Sequence, residues 1–119
     1  MIGAVVGLLV LTAGPGLAHA NNYGAIAFSP STGAHGWAND FSSRAGAERA
    51  AMNNCLRHAG DCRIATWFRN ACGALAVGSG NGYGASWASS RSMAERLSVD
   101  ACSRHTGRCY VRRWVCTGR

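Results

Sequence analysis

Two eight-residue segments carry the side chains best suited to chemistry. Cys55-Leu56-Arg57-His58-Ala59-Gly60-Asp61-Cys62 and Cys102-Ser103-Arg104-His105-Thr106-Gly107-Arg108-Cys109 share the pattern Cys-x-Arg-His-x-Gly-x-Cys. Thiolate and imidazole are the usual ligands of zinc, so the two segments together could enclose a metal. The competing reading makes each cysteine pair a local disulfide and leaves His58 and His105 near helix C-termini, where a cation is favoured. We prefer the second, with no metal and no cofactor. The chain has six cysteines, and an even count in a short exported chain reads as a disulfide framework. Pairing Cys55 with Cys62 and Cys102 with Cys109 leaves Cys72 for Cys116 by elimination, one of the 15 connectivities that six cysteines allow. In the loop-entropy account each short bridge is worth about 2.5 kcal/mol and the long one about 4 kcal/mol.

Three catalytic readings compete with this structural one. Cys102 and His105 could form a nucleophilic pair, but Cys55 and His58 stand in the same relation, and a catalytic site is seldom duplicated within one small domain. Glu48 and Glu95 could serve as the two carboxylates of a glycosidase, but each precedes an arginine on an expected helix, which fits a solvated ion-pair face. Gly78, Gly80, Gly82 and Gly84 resemble a phosphate loop, yet such a loop must open into a helix, and here a strand is expected. The chain is therefore read as a non-enzyme.

Charge and aromatics point to binding. The net charge is +7, with twelve arginines and no lysine, and Arg104, Arg108, Arg112, Arg113 and Arg119 crowd the last sixteen residues. Such a surface attracts anions. The all-arginine usage fits either a GC-rich coding sequence or selection for planar, bidentate contacts. Strand alternation would place Tyr110, Arg112, Trp114 and Cys116 on one side and Val111, Arg113 and Val115 on the other. The matching earlier segment would group Ala65, Trp67 and Arg69. Trp37 and Trp87 would extend this arginine and tryptophan surface, a composition common in binding hot spots. The candidate binding residues are Arg112, Trp114, Tyr110, Trp67, Arg69 and Arg113. The alternative is that the tryptophans form the domain's own core or a weak homodimer contact.

The elements that must position these residues occur twice. Gly24-Ala25-Ile26-Ala27 matches Gly73-Ala74-Leu75-Ala76, Ser42-Ser43-Arg44 matches Ser89-Ser90-Arg91, Ala47-Glu48-Arg49 matches Ala94-Glu95-Arg96, and Trp67 matches Trp114. An internal repeat decides the architecture. The offset falls from 49 to 47 residues, which places the net deletion between Ala76 and Ser89. Each unit predicts a hairpin of two strands, Tyr23 to Phe28 with His35 to Asn39, and Cys72 to Val77 with Tyr83 to Ala88. Asn81-Gly82 suits the positive φ angles of a tight turn. Helices follow over about Ser43 to His58 and Ser90 to His105, where the Ser42-Ser43 and Ser89-Ser90 pairs can cap the free N–H groups and Ser92 with Glu95 fits a capping box. Gly60 and Gly107 would end them in left-handed conformations. Third strands run from Arg63 to Phe68 and from Tyr110 to Cys116. The expected fold is α+β: two tandem strand-strand-helix-strand repeats (23–71 and 72–116) forming one mostly antiparallel sheet of about six strands with two helices, stabilised by disulfides.

Residues 1–20 differ from the rest. Ile2 to Leu11 is almost wholly apolar, Gly14-Pro15-Gly16 breaks the run, and Ala18-His19-Ala20 offers small residues for a signal peptidase. The run is shorter than the roughly 20 residues a spanning helix needs. A secretory signal cut near Ala20 is expected, leaving one domain over 21–119, located outside the cell or in its envelope, with no transmembrane anchor. One departure from the usual leader is that no basic residue precedes the apolar run.

Tyr23-Gly24-Ala25-Ile26-Ala27, Cys72-Gly73-Ala74-Leu75-Ala76, the Ala-Glu-Arg helices and the closing Trp114-Val115-Cys116 resemble the bacterial secreted family catalogued as domain of unknown function 4189. The resemblance spans Tyr23 to Cys116. It implies export, a disulfide-bonded α/β domain, no established catalytic activity, and envelope or host-facing roles for some members. It supplies no catalytic residues. The sequence thus supports a secreted binding module or effector engaging an anionic envelope or host partner. Nucleic acid is disfavoured, because an exported protein rarely meets it. The alternative is an inhibitor of an envelope-acting enzyme, or a small hydrolase. On the leading reading, Arg112→Ala and Trp114→Ala weaken a salt-sensitive interaction without unfolding the domain.

Overall fold

The structure, a computed structural model, describes residues 21–118. The expected leader, residues 1–20, and Arg119 lie outside the described residues. The elements run β1 (Tyr23–Phe28), β2 (His35–Phe41), α1 (Arg44–Leu56), β3 (Arg63–Arg69), β4 (Cys72–Val77), a single 3-10 turn (Ser79–Asn81), β5 (Tyr83–Ala88), α2 (Arg91–Ser103) and β6 (Tyr110–Cys116). The expected α+β class, six strands and two helices are all present. The three expected disulfides are Cys55–Cys62, Cys72–Cys116 and Cys102–Cys109.

The sheet arrangement corrects the expectation of one six-stranded sheet. There are two antiparallel three-stranded sheets, ordered β2-β1-β3 and β5-β4-β6. The reason lies in which side chains alternate. In β1, Ala25 and Ala27 share a face with Ala38 and pack against Ala47, Ala51 and Cys55 of α1. Ile26 and Phe28 point the other way and meet Leu75, Val77, Val115 and Phe68 in one core built from both repeats. Small residues thus face the helices and large ones face the other sheet. A single sheet would leave two copies of the large-residue face in water, and packing them together buries both. The result is a four-layer helix, sheet, sheet, helix sandwich, with β2 against β6, β1 against β4 and β3 against β5.

Two close approaches fix the layers. Gly36 of β2 lies directly on the backbone of α1 at Ala51 and Cys55, and Gly84 of β5 lies on α2 at Ala101 and Cys102, so a Cβ at either position would push the helix away. Ser43 and Ser90 cap the helices by accepting from the Gly46 and Met93 N–H groups. Both caps come from the expected serine pairs, whereas the Ser92 box does not form, because Glu95 turns to Arg91 instead. Nor do Gly60 and Gly107 end the helices in left-handed conformations: Arg57 and Arg104 are the C-caps, and the positive φ near the second bridge belongs to Arg108. In the second hairpin the positive φ angles fall on Gly80 and Asn81, not on Asn81 and Gly82.

The two-residue length difference between repeats has two separate origins. The β1–β2 connection is one residue longer than the β4–β5 connection. The second extra residue is a bulge in β2, where Tyr23 pairs with Phe41 but Ala25 pairs with Ala38. Asp40 in that bulge takes φ 61°, and its carboxylate accepts from Gly118 N–H at 2.7 Å. The longer first turn is held by polar groups. Buried Ser29 donates to Asp61 and accepts from the Thr32 N–H, while the Ser31 N–H donates to Asp61 at 3.1 Å. The Ser29 and Ser31 hydroxyls hold the Asp61 pKa below its ordinary value. Its contribution to stability is present above the ordinary aspartate range and is lost as pH falls through the lowered value.

Candidate functional site

The duplicated side chains support each other. Arg44 pairs with Glu48 and Arg91 with Glu95, each at 3.0 Å across one helical turn. Each of these arginines also lies over a tryptophan, Arg44 at 4.2 Å from the Trp67 ring centroid and Arg91 at 3.8 Å from that of Trp114. Tyr23 stacks beside Trp67 at 6.3 Å. The glutamate, arginine and tryptophan of each copy thus form one stack that ties a helix N-terminus to the last strand of its own sheet. All six cysteines are in disulfides, so none is available as a thiolate.

The last strand departs from regular alternation. Leu75 pairs with Arg113 and Ala76 with Val111, which leaves Arg112 as a bulge. A one-residue bulge switches the side on which the following residues lie. Arg112 and Arg113 therefore both reach the first repeat. Arg112 donates from Nη2 to the Gly33 carbonyl at 3.3 Å, and Arg113 donates from Nε to His35 Nε2 at 3.2 Å. The Arg113 guanidinium also sits 5.5 Å from the Trp37 ring centroid. The same register shift occurs in β3, where Ala65 and Thr66 occupy the matching positions. The two copies differ here by two positive charges.

His35, Trp37 and Arg113 also line a groove of about 610 Å³ between β2 and α1, together with Asn39, Asn54, Arg57 and His58 among others. Asn54 donates to the Trp37 carbonyl at 3.0 Å, which fixes the groove wall and occupies an acceptor on the edge of β2. No carboxylate lines the groove. Among the described residues only Arg44 and Arg91 form ion pairs with a carboxylate, so Arg57 and Arg113 bring uncompensated charge to it. Burial first, then the charges of Arg113, Arg112 and His58, lower the His35 pKa. The corresponding place in the second repeat presents Tyr83 instead of His35, and that ring packs onto Phe28 at 4.7 Å.

The predicted binding residues do not share one face. Arg112 and Arg113 lie at the β2–β6 side. Trp114 is on the outer side beneath Arg91, and Tyr110 is exposed at the start of β6. Trp67 and Arg69 lie at the opposite edge, beside exposed Trp87, around a cleft of about 200 Å³. The sequence does not single out His35, Asn54 or Arg57 as groove residues, and it offers His58 as a zinc ligand or, by preference, a helix-end cation. One signal was available: where the two copies are aligned, Ala65-Thr66 is replaced by Arg112-Arg113, and a paired gain of charge demands something opposite it.

The chain is similar to a known family and to a solved structure. The family model "Domain of unknown function (DUF4189)" matches residues 23–116. The NMR structure of Rv1813c from Mycobacterium tuberculosis is similar, with 34% sequence identity and a TM-score of 0.59, over 80% of this chain and 74% of that one. No curated protein sequence matches the chain.

Proposed function

The chain belongs to the DUF4189 family, and we propose that this member is an exported, non-enzymatic binding module that engages an anionic envelope or host partner through the groove between β2 and α1. The observation that carries this reading is the convergence of Arg113 and Arg57, with His35, His58 and Trp37, in a groove with no lining carboxylate. Its volume is in the range of small-ligand clefts. Trp37 offers a flat apolar surface and the arginines offer planar donors that match oxyanions. Export is supported by three disulfides, which persist in oxidising compartments. Among the described residues no helix is long and apolar enough to cross a membrane. A non-enzymatic role is favoured because the residues that looked catalytic are committed elsewhere, the cysteines to disulfides and both glutamates to arginines.

Titration with dextran sulfate, a polyanion of constant charge, tests the proposal. Arg113→Ala should weaken binding roughly tenfold, the size expected for one charge-assisted contact, and added salt should weaken the parent protein's binding steeply. Trp114→Ala should have the smaller effect, since that ring is already stacked under Arg91. Binding that ignores salt, Arg113→Ala and Arg57→Ala alike would place the site elsewhere.

A further inference from the structure

The donors of the groove come from three separate elements: His35 from β2, Arg57 and His58 from the end of α1, and Arg113 from β6. A carboxylate has two oxygens that accept in one plane, and a bidentate guanidinium takes one lone pair on each of them. An ester of a tetrahedral oxyanion presents three terminal oxygens in different directions and can answer donors on all three elements. The bond from Arg113 to His35 adds a second constraint. A guanidinium has no lone pair to give, so His35 Nε2 is the acceptor, and the proton of the neutral ring sits on Nδ1. The charged and titratable groups facing His35 are Arg112 and Arg113 from β6 and Arg57 and His58 from the end of α1, while β1 presents Phe28, its uncharged register partner. A proton added to His35 in the empty groove would join a cluster of positive charge.

Building on the groove reading above, we propose that the site binds a sulfate or phosphate monoester and that His35 takes up one proton from solvent as the ester enters. The Arg113 guanidinium turns from His35 to the anion. The freed Nε2 is protonated and becomes a further donor to an ester oxygen. No other bond forms or breaks. The lowered pKa of His35 in the empty groove fits this coupling, because the anion removes the charge repulsion that keeps the ring neutral. Proton uptake means that affinity rises as pH falls through the window between the empty and occupied states.

Glucose 6-sulfate is the probe, since its charge is constant over the titration range of histidine and its pyranose face suits Trp37. Calorimetry should show binding about tenfold tighter at about pH 5.5 than at about pH 7.5. His35→Gln keeps an acceptor for Arg113 but cannot be charged, so the pH dependence of its affinity should be much smaller than the parent's. Glucuronate, of similar shape with a carboxylate, should bind more weakly than either glucose 6-sulfate or glucose 6-phosphate, and comparing the two esters identifies the source of the oxyanion. Affinity that is independent of pH in the parent protein, a pH dependence undiminished by His35→Gln, or glucuronate binding as tightly as the esters would overturn the proposal. No binding of either ester at both pH values would overturn it together with the groove reading, whereas pH-independent ester binding would remove only the proton coupling. Should His35→Gln fail to fold, the imidazole titration of the parent protein decides: its midpoint should rise on adding glucose 6-sulfate, and an unchanged midpoint counts against the coupling.

Discussion

Phe68→Ala is expected to reduce the unfolding free energy by about 3–5 kcal/mol, the range for truncating a buried aromatic. Phe68 is almost fully buried, and its ring lies over Gly24 in its own sheet and against Gly73 in the other. The two glycines are the same position in the two repeats. Only the first repeat has a ring to place between them, because Val115 stands where Phe68 would be in the second. A methyl group at Gly73 would collide with that ring, so Gly73→Ala alone should cost about 1–3 kcal/mol through overpacking. In a Phe68→Ala background the same methyl enters vacated space. Urea unfolding of the two single variants and the double variant should therefore give a combined loss smaller than the sum. Strictly additive losses would mean that the two sheets do not meet through this ring.

Removing the Cys72–Cys116 bridge by replacing both residues with serine is the second large effect, at about 4 kcal/mol in the loop-entropy account. Each short bridge should contribute less, about 2.5 kcal/mol, because it closes a far smaller loop. Cys72 and Cys116 are register partners across β4 and β6, so the bridge joins the first strand of the second repeat to its last. The first repeat has Tyr23 opposite Arg69 at the matching place and no cross-link. For a domain whose whole stability is expected to be about 5–15 kcal/mol, loss of this bridge should lower the urea midpoint more than loss of Cys55–Cys62. An equal or smaller shift would show that the long loop is already constrained in the unfolded chain.

Much of this architecture was legible in the sequence because each signal was local. The strand of Tyr23 to Phe28, the serine caps at the helix starts and the short disulfides are all set by residues within one turn or one hairpin. The alternation Ala25-Ile26-Ala27-Phe28, repeated as Ala74-Leu75-Ala76-Val77, also held the evidence for two facing sheets, since the small residues fit a helix and the large ones fit another sheet. That inference needs the size of the side chain as well as its hydrophobicity. The groove was not legible for a different reason. It depends on a bulge at Arg112 that reverses which way the end of β6 faces, and a bulge leaves almost no mark in composition. It also joins residues nearly eighty positions apart, His35 with Arg113, that the repeat alignment treats as unrelated. The repeat assigned shared structural roles to the cysteine pairs and the two glutamates, which are engaged in disulfides and arginine pairs, but it also set aside His58, which lines the groove. The candidate site joins the unshared His35, Trp37 and Arg113 to Arg57 and His58, whose counterparts are Arg104 and His105, a different grouping from the single arginine and tryptophan face expected around Trp114.

The central claim is that an anion enters the groove between β2 and α1 and meets Arg113. The most direct measurement is a titration of the oxidised, isotope-labelled protein with glucose 6-sulfate, following the Trp37 indole N–H, the Arg113 Nε–H and the His35 ring by NMR. The account predicts that these three signals move together with one saturation curve, while the indole signals of Trp67, Trp87 and Trp114 stay in place. Movement centred on Trp87 and Arg69, or on Trp114 and Arg91, with the Arg113 signal unmoved, would contradict it.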